Sequence, residues 1–109
     1  MSVRNREAID GIGIERDGSA VVLLISDDLP WTDPGHIPAL SAKLEAYANA
    51  VISGVLVESY PNARGLPATI RLVWQYEPTE EARAFLELAK GQLSQAGIKF
   101  TDLSLPEGY

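Results

Sequence analysis

Hydrophobic residues recur along the chain with two different periods, and these periods predict the order of its elements. Between residues 37 and 51, and again between residues 82 and 96, apolar residues return every three or four positions, which is the spacing of one helix face. They are Ile37, Leu40, Leu44, Tyr47 and Val51 in the first segment and Ala82, Phe85, Leu86, Ala89, Leu93 and Ala96 in the second. Each segment therefore predicts an amphipathic helix that needs an apolar surface to pack on.

Four other segments predict strands. Residues 8–16 and 21–25 flank Asp17 and Gly18, a pair that suits the positive backbone angles of a hairpin turn. The first of these strands is apolar only in its middle, as expected at a sheet edge, whereas the second is apolar on both faces and should be more central. Residues 68–77 alternate in hydrophobicity and residues 98–105 form the last predicted strand.

The start of the first helix has two readings. Asp33 before Pro34 is a natural N-cap followed by proline at the first helical position. Pro38 opposes this assignment, because a proline in the fifth helical position lacks the N–H that would bond back one turn. The alternative is a regular helix that starts nearer Gly35 and His36.

The other helix boundaries follow from single residues. Gly54 is placed just past the end of the first helix, and Gly97 just past the end of the second. Thr79 is the expected N-cap of the second helix. Residues 55–67 are less informative: they fit a helical turn or a short extended piece, followed by a turn over the sequence PNARG.

The resulting order is strand, strand, helix, strand, helix, strand. It predicts a single domain over residues 1–109 of the α+β class, with two layers: a mixed four-stranded sheet and two helices on one of its faces. The first strand is expected to be antiparallel and the helix-connected strands parallel. The pattern does not determine the order of the strands.

Composition excludes several classes of protein. Nine Lys and Arg stand against fifteen Asp and Glu, and the formal charge of -6 disfavours binding to nucleic acid or to an anionic membrane. The chain has no cysteine, which excludes disulfides, thiolate metal sites and a cysteine nucleophile. No stretch approaches the roughly 18 apolar residues of a membrane span, and no targeting segment is evident, so a cytoplasmic location is the expectation.

Several stretches together resemble a known family. IDGIGI, VVLLISDDLPW, SYPNARG and PTEEARAFLELAK resemble domain of unknown function family 6572, a family of small bacterial proteins, over nearly the whole chain. The most specific parts are Asp28, Leu29 and Trp31 and the turn at residues 60–65. The family has more acidic residues before the helix, where this chain has prolines and a glycine. The resemblance implies a bacterial, cytoplasmic protein and brings no activity, cofactor or catalytic residue.

The acidic turn before the first helix is the main candidate site. It contains Asp27, Asp28, Trp31, Asp33 and His36. These residues could form a contact surface, or three carboxylates and an imidazole could bind a divalent cation, although neither a calcium-loop nor a zinc-site spacing is present. The structural alternative has Asp33 capping the helix, Asp27 and Asp28 bonding turn amides and Trp31 on the edge of the core.

Catalytic chemistry has little support in the sequence. His36 is the only histidine, and no serine lies in the glycine-flanked setting of a nucleophile elbow. No spacing singles out a pair of glutamates as acid and base. Trp74 and Tyr76 lie on the apolar face of a predicted strand, where aromatic residues belong to the core or, alternatively, to a ligand pocket.

We therefore expect a non-catalytic module that binds a protein partner or self-associates, without a cofactor. The acidic turn is the first candidate surface, and the alanine-rich, charge-poor side of the first helix is the second. The alternative is a protein that binds a small ligand or a cation, or an enzyme, that uses the acidic Trp-bearing turn. Nothing in the residues names the partner.

Overall fold

The computed structural model describes residues 11–104. The elements are β1 (Gly11–Ile14), β2 (Val21–Asp27), α1 (His36–Ser53), α2 (Val55–Ser59), a 3₁₀ turn (Pro61–Ala63), β3 (Ala68–Trp74), α3 (Glu80–Gln95) and β4 (Lys99–Ser104). The predicted α+β class and the predicted order of strands and long helices are confirmed. The segment that the sequence left open holds the short helix α2 and the 3₁₀ turn.

The four strands form one mixed sheet in the order β1-β2-β3-β4. β1 pairs antiparallel with β2, and β2, β3 and β4 are parallel. β1 is thus at an edge and β2 is internal, as the hydrophobic patterns predicted. The connection from β2 to β3 runs through α1, and the connection from β3 to β4 runs through α3. Both connections move in the same direction across the sheet. Because such crossovers are right-handed, both helices lie on the same face of the sheet.

The core lies between that face and the helices. Val21, Leu23 and Ile25 of β2 are fully buried, whereas the alternate residues Val22 and Leu24 are half-buried. One cluster joins the buried residues of β2 and β3 to the stripes of α1 and α3 that the 3.6-residue period indicated.

The hairpin between β1 and β2 turns at the predicted residues. The Glu15 amide donates to the Ala20 carbonyl at 2.9 Å, and Gly18 has a φ of 74°, the left-handed conformation that glycine adopts without steric cost. Residues 8–10 of the predicted first strand lie outside the described part of the chain.

The first helix begins at His36, which supports the second of the two readings of its start. Gly35 is in the N-cap position, and Asp33 accepts a hydrogen bond from the Gly35 amide at 2.8 Å. Pro38 is then the third helical residue. Since the first four amides of a helix have no partner one turn back, the proline costs no hydrogen bond there. Asp33 orders the turn before the helix and does not occupy its N-cap.

The remaining helix boundaries are as predicted. Thr79 caps α3, and its hydroxyl accepts from the Ala82 amide at 3.1 Å. Gly54, with a φ of 86°, ends α1 in the left-handed conformation. Gly97 follows α3 in the same conformation.

The two aromatic residues of the third predicted strand differ from the pattern. Trp74 is half-buried and ends β3, but Tyr76 lies beyond the strand and is 45% exposed. The strand ends before residue 76, so the alternation that placed Tyr76 inside no longer applies. The prediction that Tyr76 belongs to the core is wrong.

A polar cluster ties α3 to the last strand. The Lys90 ammonium lies 2.9 Å from a carboxylate oxygen of Asp102, and the Trp74 indole donates to the other oxygen at 3.0 Å. Burial alone would raise the pKa of Asp102, but the hydrogen bonds from Trp74 and Lys90 outweigh it and leave the pKa below 3.8. The pKa of Lys90 is raised above 10.5, chiefly by its hydrogen bond to Asp102.

These shifts set the pH range over which the cluster stabilises the fold. A depressed carboxylate pKa gives stability that is present above the unfolded-state pKa and is lost as the pH falls through the folded-state value. A raised lysine pKa gives stability that is present below its unfolded value and is lost at alkaline pH. The cluster therefore contributes fully between about pH 4 and pH 10.

Trp74→Phe removes the indole donor and is expected to raise the pKa of Asp102, because the carboxylate loses a hydrogen bond to its charged form. Carboxyl chemical shifts measured by NMR across an acid titration provide the test. The matched control is Trp31→Phe, since the Trp31 indole donates to the Tyr76 carbonyl and not to Asp102. An Asp102 pKa that is the same in wild type and Trp74→Phe would contradict the assignment.

Leu72→Ala and Leu44→Ala are each expected to lower the free energy of unfolding by about 2 to 5 kcal/mol, because both side chains are buried in the core cluster. Denaturant titration followed by circular dichroism measures the change. A loss below about 0.5 kcal/mol at either position, the range of surface substitutions, would place that side chain outside the core.

Candidate functional site

A buried hydrogen bond joins the end of β2 to the start of α1. The Asp27 carboxylate and the His36 ring approach to 2.6 Å between Oδ2 and Nε2, and both side chains are fully buried. The other carboxylate oxygen of Asp27 accepts from the Leu29 amide at 3.1 Å. The main chain of Asp27 also accepts a hydrogen bond, from the Gln75 amide at 2.9 Å. The turn is thus attached to the sheet by both the side chain and the main chain of one residue.

Trp31 covers this pair. Its ring stacks on His36 with the centroids 3.8 Å apart and the planes 14° from parallel. Its indole N–H donates to the Tyr76 carbonyl at 2.7 Å, which links the turn to the segment after β3. Asp27, Trp31 and His36 therefore form one buried unit, called the Trp31 knot below.

The partners of His36 determine where its protons lie. Nδ1 is 3.0 Å from the Pro30 carbonyl oxygen, which can only accept, so Nδ1 carries a hydrogen. Nε2 faces the Asp27 carboxylate, and one further proton must lie between those two atoms to make the 2.6 Å contact attractive. Both ring nitrogens are occupied by protein acceptors.

This arrangement differs from a hydrolytic triad. In a triad one imidazole nitrogen bonds a carboxylate and the other takes the proton of a nucleophile. In the Trp31 knot the second nitrogen of His36 bonds a backbone carbonyl, and the ring is inaccessible to solvent. The geometry leaves neither nitrogen free to act on a bound substrate.

The five residues of the predicted interaction site fall into two groups. Asp27, Trp31 and His36 are buried in the knot, whereas Asp28 is exposed and Asp33 is partly exposed. Asp27 bonds a turn amide and Trp31 is buried beside the core, as the structural alternative had them, whereas Asp33 bonds the Gly35 amide in the turn instead of capping the helix. Within residues 11–104 no group of three or more histidine, cysteine or acidic side chains is placed to hold a metal ion.

Lys43 is a buried charged residue of α1 that is not part of the apolar stripe predicted from the sequence. Its side chain is fully buried, and the ammonium lies 5.7 Å from the centroid of the Tyr47 ring, within range of a cation–π interaction. The Tyr47 hydroxyl donates to the Leu24 carbonyl at 3.2 Å. Positions 36, 40, 43 and 47 lie on one side of the helix, so the helical period is the signal that could have indicated the burial of Lys43, although lysine is rarely fully buried.

On the outer side of the knot, a valley separates α1 from α3. At the N-terminal ends of these helices it opens into a cleft of about 630 Å³. The cleft is lined by Trp31, Thr32, Asp33, Pro34, Ile37, Pro38, Thr79 and Glu81. Apolar rings and aliphatic groups form much of the wall, and the carboxylates of Asp33 and Glu81 are its charged groups.

Further along the same two helices the valley holds a second, smaller cleft of about 250 Å³. Leu44 and Ala48 of α1 face Phe85, Ala89 and Leu93 of α3 across it, with Ser41, Glu45, Gln92 and Ala96 completing the lining. Small alanine side chains stand on both walls of this cleft. Of the described residues that line this part, Glu45 alone is charged.

The C-terminal end of α1 exposes apolar side chains. Ile52 is 65% exposed and lies one helical turn beyond Ala48, on the same side of the helix. Val55, the first residue of α2, is 51% exposed. Neighbouring exposed aliphatic residues that continue an apolar groove are typical of an interaction surface.

Truncation of the knot has a large predicted cost. His36→Ala leaves the Asp27 carboxylate buried without its partner, and we expect a loss of about 3 to 5 kcal/mol in the free energy of unfolding. Thr32→Ala, in the exposed part of the same turn, is the control and should change it by less than about 0.5 kcal/mol.

A double-mutant cycle separates this pair from general packing. The Asp27→Ala and His36→Ala losses should sum to more than the loss in the double variant, because each single change leaves an uncompensated buried group. Additive losses would mean that the two side chains do not depend on each other.

Comparison with known proteins identifies a family that matches this sequence. The model of a family of unknown function, DUF6572, matches residues 1–105. The curated proteins and the solved structures contain no match to the chain. In the described part, no helix has both the length and the apolar character that a membrane span requires. The match to the family extends over nearly the whole sequence, and the chain therefore belongs to the family of unknown function DUF6572.

Proposed function

We propose that this protein is a non-catalytic module that binds another protein through the valley between α1 and α3. The observation that carries the proposal is a line of apolar residues along α1: Ile37, Leu44 and Ala48 line the two clefts, and Ile52 is exposed one helical turn beyond Ala48. The line covers about 22 Å at the helical rise of 1.5 Å per residue. This length suits a macromolecular segment better than a small ligand.

The acidic turn takes part through its exposed residues. Thr32 and Asp33 line the N-terminal cleft of the valley and Asp28 is exposed in the same turn, and the Trp31 knot holds the backbone that carries all three. A preorganised surface binds with a smaller loss of conformational entropy than a mobile one. In this proposal the knot supports the contact surface, and its own side chains stay inside.

Binding of a cation or a small ligand by the turn, or catalysis there, has weaker support. The Asp27 carboxylate and both nitrogens of His36 already bond to the protein itself. A metal ion or a substrate would have to break the buried pair before it reached these atoms. The turn would then lose the bonds that hold it on the sheet.

Self-association is a second form of the same proposal, and charge makes it less favourable. Each copy carries a formal charge of -6, and among the described residues the charged groups that line the valley are all carboxylates. A symmetric dimer formed through the valley would bring two acidic surfaces of two acidic chains together, and like charges repel.

Affinity capture from the native lysate tests the proposal. We expect the wild-type protein to retain a partner that is lost with Ile52→Asp, because the substitution puts a charge on the apolar line. Leu103→Asp is the matched control, since Leu103 is 42% exposed and its side chain alternates along β4 with that of Asp102, which contacts α3, so Leu103 lies on the other face of the sheet.

The two variants should keep the wild-type circular dichroism spectrum, as both positions are on the surface. Equal retention of the partner by Ile52→Asp and wild type would contradict the use of the valley. Loss of the partner with both variants would do the same. Light scattering that shows a stable dimer of the wild type, absent in Ile52→Asp, would identify a second copy as the partner.

A further inference from the structure

The strand β4 leaves one side of its backbone without a strand partner. It lies at the end of the sheet order, and among the described residues it pairs with β3 alone. Edge strands are usually protected from other chains by prolines, bulges or charges. The described strand has a continuous register and no proline, and Lys99 at its first position is the charge that points away from the helices. The edge is therefore open to a further strand.

The helix layer does not close this edge. An open cleft of about 680 Å³ runs between α3 and β4, beside the unpaired side of the strand. It is lined by Glu87, Lys90, Gly91, Ser94, Gly97, Ile98, Lys99 and Phe100. A second chain that paired with β4 would thus find space for its own helix beside α3.

The charges along this edge are of both signs and are paired with each other. The Lys90 ammonium lies 2.9 Å from a carboxylate oxygen of Asp102 and 3.3 Å from one of Glu87. Arg83, one helical turn before Glu87, pairs with Glu77 at 2.6 Å. Although the whole chain carries a formal charge of -6, two copies can meet along this edge without the repulsion that opposes a dimer through the valley.

A two-fold axis through the edge gives a closed arrangement. If β4 of one copy pairs antiparallel with β4 of a second copy, the two sheets become one sheet of eight strands, and both helix layers lie on the same face. Because α3 covers β3 and β4, which it connects, the two copies of α3 are then about two strand spacings apart. Two spacings are roughly 10 Å, which is the distance between the axes of packed helices.

The side chains of β4 favour one register. Opposed residues of an antiparallel pair lie on the same face of the sheet, so the axis passes through a residue of the strand. An axis at Asp102 would set two carboxylates opposite each other, and an axis at Phe100 or Leu103 would pair only three described residues. An axis at Thr101 pairs residues 99–103 and sets Lys99 opposite Leu103 of the second copy.

Thr101 supplies an independent reason for this register. Its hydroxyl oxygen is buried and has no hydrogen-bond partner in the chain. With the axis at Thr101, the residue stands opposite its own copy, and rotation about its Cα–Cβ bond turns the two hydroxyls toward each other. Paired threonines on neighbouring strands hydrogen-bond in this way and stabilise a sheet.

We infer that β4 is a dimerisation edge, at which a second copy of this chain pairs antiparallel about Thr101. The inference goes beyond the proposed function and uses a different surface: the valley lies on the opposite flank of α3, where Phe85, Ala89 and Gln92 line it. The dimer leaves both valleys open on one face and makes the module bivalent toward its partner. A contact over the roughly 24 Å of α3 and the depth of both layers buries roughly 1,000 Å² in total, which suits a reversible dimer.

Sedimentation velocity on the full-length protein at increasing concentration tests the inference. We expect the wild type to dimerise reversibly, and Thr101→Lys to weaken the dimer at least about tenfold, because it sets two ammonium groups opposite each other at the axis. Thr101→Val is the matched control and should change the dimer Kd by less than about threefold, since valine also favours strands. Circular dichroism checks that each variant is folded.

Leu103 tests the register by the sign of a charge. With the axis at Thr101, Leu103→Lys faces Lys99 of the second copy and should weaken the dimer about threefold. Leu103→Asp faces the same ammonium and should strengthen the dimer by a similar factor. The same effect for both substitutions would contradict the register.

Cysteine cross-linking gives a second measurement, because the chain has no cysteine of its own. Thr101→Cys should form a disulfide-linked dimer under mild oxidation, since opposed residues on paired strands are close enough for the bond. Lys99→Cys and Leu103→Cys should each fail to cross-link alone, because like positions are then about 14 Å apart, but a mixture of the two should cross-link.

The outcomes separate this inference from the proposed function. A wild type that stays monomeric up to about 1 mM would overturn the dimer, as would equal cross-linking of all three single-cysteine variants. A dimer that is lost in Ile52→Asp and kept in Thr101→Lys would place the second copy in the valley and overturn the β4 contact. Capture of a partner from lysate that depends on Ile52 would leave the proposed function intact in each of these cases.

Discussion

The contact between Asp27 and His36 is the interaction on which the arrangement of the sheet and α1 depends. A carboxylate and an imidazole are buried together at the point where the chain leaves β2 and enters α1. Burying either group alone costs free energy, so the connection between β2 and α1 is stable only when Asp27 and His36 are buried together as a pair. Because Trp31 stacks on the pair and bonds the segment after β3, the same corner also fixes the end of the neighbouring parallel strand.

A residue type that usually indicates chemistry is used here for structure. Histidine beside aspartate suggests proton transfer, but the backbone carbonyl of Pro30 occupies the nitrogen that a nucleophile would need. The surface available to other molecules lies on the outer side of the helices, where carboxylates and small apolar residues line a valley and no basic side chain of the described chain joins them. Within the same turn, the buried residues Asp27, Trp31 and His36 hold the backbone in place, and other residues, such as Asp28 and Thr32, are exposed to solvent.

Hydrophobic periodicity was sufficient for most of the fold. The stripes of the two long helices, the alternation of β3 and the glycine after α1 each follow from local rules, and the described chain obeys them. Strand order was not predictable, because pairing between parallel strands depends on crossovers whose relative placement leaves no local trace. Tyr76 was misplaced because an alternating pattern does not mark where a strand ends.

Less of the candidate site than of the fold could be predicted from the sequence. Sequence proximity brought the acidic residues and Trp31 together correctly, but it could not tell that Asp27 and His36 point inward while Asp28 points outward. Lys43 was missed for a related reason: burial of a charge is decided by the partners that tertiary structure provides. The valley depends on how far apart α1 and α3 pack, which no one-dimensional pattern records.

Because each strand of the sheet pairs with the strand before it in the sequence, the sheet can be assembled in the order in which the chain is synthesised. The hairpin of β1 and β2 needs only a short loop, and each later strand is added at the growing edge through a single crossover. No strand has to be inserted between two that are already paired. Although the parallel pairings join residues that are far apart in sequence, such a topology lets a nascent chain acquire its strands progressively, with little need to undo earlier pairings.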